Sequence, residues 1–498
     1  MRRVALAIVA FLIALSVGLN VLLGIQLASS RARLGELDAE LSQARSRLAQ
    51  IDARLQEVET ELQQARAEAE AARGQARRAE QERDELRQQL ERARGGTPTP
   101  TPDGATPVPP EVEEAFDAIE DQVAGLRGLP PRGDVPRSFM AKDALRRYLT
   151  ETIEKDYSPE EREADTRLLR ALGLLRPDQD LVQLYLDLLT EQVIGLYDQE
   201  TKRFYIVGER QVLDPQTRLT FAHEYVHALQ DQHFDLQRLL PDDPENNDAA
   251  LAVRALVEGD ATLASFLWAR QTFTSSDLMA LLAQAGSGGN QQLNRVPRVL
   301  REELLFPYER GQQFVQALYD RGGWRAVDEA FRDPPTSTSH ILHPEKYLAG
   351  DEPETVTLPD LAAAMGQGWR RLDTNTLGEL DLRIAVAEYT DEATARRAAE
   401  GWDGDRYDLL ARDGETLLVL SVVWESPAEA REFAEAYARA VGQRFGDAVS
   451  PSSVGSGQLW EGADYAVFLA AREQRTLLVV ASSAETARRA VQHVGGGE

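Results

Sequence analysis

Residues 95–111, GGTPTPTPDGATPVPPE, divide this chain into two parts that cannot share one core. Alternating Thr-Pro favours an extended, polyproline-like backbone with no interior of its own. The stretch reads as a semi-rigid linker. It sets a domain boundary, as expected for a chain of 498 residues.

The part before the linker has two patterns. VALAIVAFLIALSVGLNVLLGIQLA, residues 4–28, carries no charge and is long enough to cross a bilayer as a helix. A cleaved signal peptide has a shorter apolar region and a small-residue cleavage site. This run is longer and continues into a helical pattern, so residues 1–28 are expected to be an uncleaved transmembrane signal anchor. Arg2 and Arg3 precede it. A short N-terminus inside and the rest outside is the simpler topology, giving a single-pass cell-membrane protein with extracytoplasmic domains. A heptad seam follows through Leu34, Leu37, Leu41, Ala44, Leu48, Ile51, Leu55, Val58 and Leu62, and continues to Leu86 and Leu90. It predicts a left-handed coiled coil over 29–94, a stalk roughly 90 Å long. Strands starting in one membrane would pair in parallel, as a homodimer.

Beyond the linker, composition removes several kinds of chemistry. The formal charge is −27, with no Lys/Arg cluster outside the N-terminal third, so nucleic acid is not an expected partner. There is no cysteine, which excludes disulfides, thiolate metal sites and a cysteine nucleophile. A metal must use His, Asp or Glu. Residues 112–350 read as mainly helical, except that QVIGLYDQETKRFYIV, 192–207, reads as a β-hairpin around a polar turn. Residues 375–498 alternate strands and helices and hold two copies of a hairpin followed by a helix. A small α+β sandwich is expected there, with helices on one face of an antiparallel sheet. The expected fold class is thus α+β: anchor, coiled coil, helical domain with a small sheet, and C-terminal α+β module.

The chemistry gathers in FAHEYVHALQDQHFD, residues 221–235. On a helix His223 and His227 lie one turn apart on one face and can aim at one metal ion. Glu224, about 100° around the axis, can reach a metal-bound water instead. Asp214 can cap this helix. A catalytic zinc needs a third protein ligand and an open position. His233 stands where a longer three-histidine motif would place it, but Gln230 occupies the position of that motif's turning glycine. Glu258, in ALVEGDATLA, has small and apolar neighbours, where a carboxylate is expensive to bury unless it is paired or binds metal. It can instead pair with Arg254. Gly259 would let another helix approach closely, and Asp260 could orient a histidine through its second ring nitrogen.

HEYVHALQDQ followed by ALVEGDAT resembles the gluzincin-type zinc metallopeptidases, whose third ligand is a glutamate on a downstream helix. The hairpin before the motif and the later YERGQQFVQALYDRGGWRAVDEAF are similar to membrane-associated bacterial predicted metallopeptidases. The resemblance covers about residues 185–348 and implies a zincin-like domain. It also implies that His223, His227 and Glu258 bind Zn2+, and that peptide or protein substrates are hydrolysed by a zinc-activated water with Glu224 as general base. SHILHPEKY offers His343, before a proline, as the oxyanion donor, with His340 and Tyr347 as alternatives. The strand near Leu196–Asp198 could take an extended substrate by strand addition. A different reading makes the chain an anchored scaffold or sensor with a structural or vestigial metal site.

Overall fold

The computed structural model describes residues 105–494, apart from 107, 193–194, 199–200, 208–212, 241–245, 287–295 and 447–448. The expected anchor, the coiled coil and most of the linker lie outside these residues. The chain begins with β1 (Ala105–Thr106), α1 (Pro110–Arg127), β2 (Arg137–Met140), α2 (Lys142–Asp156), α3 (Pro159–Leu172) and α4 (Leu181–Gln192). The hairpin β3 (Gly195–Asp198) and β4 (Arg203–Val207) follows, then α5 (Pro215–Phe234), the short α6 (Leu236–Leu239), α7 (Asn247–Thr272) and α8 (Ser275–Gly286). The helix α9 (Arg298–Arg332) is interrupted at Gly322 and Gly323, whose backbone angles are not helical. Two short helices, α10 (Thr338–Leu342) and α11 (Pro344–Ala349), close this region.

The C-terminal region holds α12 (Leu361–Met365), β5 (Arg370–Asn375), α13 (Gly378–Ala387), α14 (Glu392–Ala399), β6 (Trp402–Arg412), β7 (Glu415–Trp424) and α15 (Pro427–Phe445). It ends with β8 (Ser452–Val454), β9 (Gly457–Glu461), β10 (Ala466–Arg472), β11 (Arg475–Ala481) and α16 (Ala484–Val494).

The described residues form two sheets. The first has the order β1-β2-β4-β3. The expected hairpin is its β3/β4 pair, with Leu196 opposite Tyr205, and β2 adds to β4 in parallel. This leaves β3 at an edge, beside α5. The second sheet has the order β5-β6-β7-β11-β10-β9-β8, and every pair in it is antiparallel. The two hairpin-plus-helix copies are β6–β7–α15 and β10–β11–α16, joined where β7 pairs with β11.

The expected fold class needs correction at two points. Among the described residues no helix is long and apolar enough to cross a membrane. The two longest, α7 and α9, carry charges along their length, including Arg254, Glu258 and Asp260 on α7. The C-terminal region is not a two-layer sandwich either, because helices cover both faces of its sheet. Along β7, Leu418, Leu420, Val422 and Trp424 face a core with Phe433 and Tyr437 of α15. Leu417 and Val419 face the opposite way, toward Ala487 and Ala490 of α16 and Leu361 and Met365 of α12. A strand buried on both sides reads as a near-continuous apolar run, and TLLVLSVVW is one, interrupted at Ser421. The sheet also starts at Arg370, before the expected 375. Its inner face shares one apolar cluster with Leu145, Leu169, Leu256 and Phe314 of the helical region.

Candidate metal centre

Asp214 starts the helix that carries the motif, its side chain accepting from the Thr217 N–H at 2.8 Å, with Pro215 in the first turn. The helix α5 is buried over most of its length, so His223 and His227 face protein rather than water. Asn246 caps α7 in the same way by accepting from Ala249 N–H. This helix lies against α5 and brings Glu258 to the histidines.

His223 Nε2 is 3.1 Å from Glu258 Oε2, and His227 Nε2 is 3.4 Å from the same oxygen. The two Nε2 atoms are 2.9 Å apart. Donors about 2.0–2.1 Å from a tetrahedral zinc stand roughly 3.3 Å from one another. The triangle therefore has the dimensions of one face of such a site. Three electron-rich atoms this close need a cation among them, either a proton or a metal. Relative exposures are 1% for His223, 2% for Glu224, and 0% for His227 and Glu258. Among the described residues this is the one group of three or more His, Asp or Glu side chains close enough to hold a metal. The residues present fit zinc, with two imidazoles and one carboxylate and no thiolate.

Burial sets the electrostatics. It pushes His223 down to about 4, with His227 adding to the effect. For His227 burial also disfavours charge, but Glu258 and Glu224 outweigh it and hold the imidazole up at about 9. Glu258 feels the same penalty in reverse, and the two histidines hold it down at about 2. Glu224 does not join the triangle. Burial raises it to about 8, and its Oε2 accepts from the Tyr197 backbone N–H of β3 at 2.9 Å. Glu224 therefore faces the sheet edge at β3.

Four further residues complete the surroundings. Gln230, read from sequence as the failure of a glycine motif, accepts from His227 Nδ1 through Oε1 at 2.8 Å. That bond places the His227 proton on Nδ1 and leaves Nε2 for the triangle. Gln230 Nε2 donates to Val257 O at 2.9 Å and to Asp260 Oδ2 at 2.8 Å, which fixes the orientation of its amide. Asp260 thus serves a histidine as expected, but at one remove, and takes a second bond from Arg127. Tyr308 of α9 is buried beside Glu258, whose charge adds to burial in raising its phenol pKa, and it stacks on His223 with ring centres 6.2 Å apart. Arg254, one turn before Glu258, is buried beside it, and burial lowers its pKa to about 10.

Gly259 admits a helix, as expected, and that helix is α9. A Cβ there would lie 2.2 Å from Gly311 O, and one at Gly311 would lie 2.0 Å from Ala255 O. This crossing delivers Tyr308. The sequence signal was present in YERG, where Gly311 follows Tyr308 by three residues.

The remaining candidates lie elsewhere. His233 donates to Pro130 O at 2.8 Å and takes no part in the triangle. His343 bonds Glu379 at 2.9 Å and has Glu345 at 3.8 Å, so it is not brought to the cluster. Its position after α10 turns it toward α13. His340 donates to Asp351 O, and Tyr347 to Asp333 O. A cavity of about 1530 Å³ opens between α3, α15 and the second sheet, and no residue of the triangle lines it.

Residues 367–492 match a family described as a domain of unknown function (DUF8575). The match falls on the second sheet. The triangle lies outside it. No curated protein matches the chain. The extracellular domain of PknH from Mycobacterium tuberculosis is a similar solved structure, at 12% identity over 28% of this chain and 92% of that one. Its TM-score is 0.20, and a likeness at that score carries no argument.

Proposed function

We propose that this protein is a zinc-dependent peptidase that hydrolyses peptide bonds. The observation that supports this most is the convergence of His223, His227 and Glu258 within 4.8 Å, with Glu224 alongside as a base that is not itself a ligand. The resemblance of HEYVH and ALVEGDAT to gluzincins points the same way. Zinc held by this trio would supply Lewis acidity to a water and to the scissile carbonyl. Glu224 takes the proton from the attacking water and passes it to the leaving amine as the C–O bond forms and the C–N bond breaks. Gln230 keeps His227 in the ligating tautomer. Tyr308 lies beside Glu258 and stacks on His223. An extended substrate added to β3 would compete with Glu224 for the Tyr197 N–H.

A second reading, of a structural metal site in a scaffold, is favoured by one observation. Glu224 and the trio are all at most 2% exposed. The presence of a base beside the ligands weighs against it, because a structural site has no need of one. Zinc content and cleavage of a mixed peptide library, compared with Glu224→Gln, decide between the readings. The peptidase is expected to bind one zinc per chain and to lose turnover by about 100-fold or more in the variant, the scale of a general base. One zinc per chain with equal turnover in both proteins defeats the proposal.

A further inference from the structure

His227 is the ligand with the longest line of support. From its Nδ1 the line runs to Gln230 Oε1, from Gln230 Nε2 to Asp260 Oδ2, and from Asp260 Oδ1 to Arg127 Nε at 2.7 Å. Arg127 Nη2 then reaches Asp328 Oδ1 at 2.7 Å. Arg127 and Asp260 are 0% exposed, and the guanidinium lies 4.6 Å from the Trp324 ring centre. Four helices contribute. Gln230 comes from α5, Asp260 from α7, Asp328 and Trp324 from α9, and Arg127 from the last turn of α1.

Each link has one sensible direction. A carboxylate only accepts, and a guanidinium only donates. The Gln230 amide cannot be reversed without setting its NH2 against the His227 proton donor and its oxygen against two acceptors. The order therefore propagates from Arg127 to the metal-facing nitrogen. Arg127 is the sole member on α1, the first helix after the proline-rich segment.

We propose that Arg127 is a positioning residue for the metal ligand His227, acting through Asp260 and Gln230, so that metal affinity depends on the seating of α1. This rests on the reading that the trio binds zinc. A purely structural arginine would stabilise the helix packing and leave affinity unchanged. A positioning arginine changes affinity, and its effect is not independent of Gln230, because both act on the same imidazole.

The test is zinc affinity by chelator competition in the full chain, with metal-free stability measured beside it. Arg127→Met and Gln230→Met are each expected to weaken zinc about 10–100-fold, the range for partners of a metal-bound histidine. The double variant should be no weaker than the worse single variant, because the links form one chain. Arg127→Lys keeps the charge but loses the two-pronged geometry, and should weaken zinc in the same direction. It replaces Arg127→Met if that variant does not fold. Unchanged affinity in the folded Arg127 variants overturns the proposal, as do losses that multiply in the double variant. If the wild-type chain itself fails to bind zinc, the peptidase reading falls and takes this inference with it. That outcome is distinct from a zinc-binding wild type with indifferent Arg127 variants.

Discussion

At the scale of residues, the site separates what spacing reveals from what contact reveals. His223, Glu224 and His227 are fixed relative to one another by a single helix, so five letters of sequence carry their geometry. Glu258 was legible through its surroundings, a carboxylate among small apolar residues. Gln230 was visible but read for what it lacked, although three residues from His227 it lies within reach of the ring. Tyr308 reaches Glu258 from a helix far along the chain, and no local pattern announces it. Its phenol is held protonated by burial and by Glu258 nearby. Tyr308→Phe removes the polar group facing Glu258 and should destabilise the metal-free protein by about 0.5–1.5 kcal/mol, the net scale of one polar interaction. The penalty should shrink with zinc present, when Glu258 gains another partner. Denaturant unfolding with and without zinc checks both statements.

At the scale of elements, the contact between α7 and α9 is set by two glycines that leave no room for a methyl group. The atoms that an added Cβ would meet are backbone carbonyls, which no rotamer change can clear. Gly311→Ala is therefore expected to cost at least about 1–3 kcal/mol by overpacking. By forcing the helices apart it should also withdraw Tyr308 from Glu258. A thermal melt reads the first effect. Loss of the zinc-dependent part of the Tyr308→Phe effect, when the two changes are combined, reads the second. Gly259 signalled close approach in the sequence, but a glycine does not name its partner. The hairpin was legible for the opposite reason, since its β-rich runs and polar turn are local. A loop position says little about direction, and the turn after α10 points His343 to Glu379.

At the scale of the whole molecule, the helical region and the second sheet meet over a buried group of carboxylates. Asp248 at the start of α7 accepts from the Thr338 N–H and hydroxyl, and faces Asp405 of β6 and Asp381 of α13. Burial raises Asp405 to about 6 and lifts Asp248 well above the usual carboxylate range. A carboxyl whose folded pKa is raised contributes stability that is complete below its unfolded value and is lost as pH rises through the folded one. For Asp405, moving from 3.8 to about 6, that loss is on the order of 2 kcal/mol between pH 4 and neutrality. Asp248→Asn keeps the oxygen that serves Thr338 and removes a charge. It should raise the melting temperature at pH 7–8 and leave it nearly unchanged at pH 4. Nothing in the sequence marked this joint, because its members come from elements far apart in the chain, and the shared core was hidden for the same reason. The two-sided burial of the second sheet was written in the near-continuous apolar run of β7, broken at Ser421, which alternation alone does not explain. The enclosure of Glu224 has a kinetic meaning for the proposed reaction. A base sealed behind β3 can act only as often as that seal parts, so the opening frequency caps turnover for every substrate alike, however labile its scissile bond.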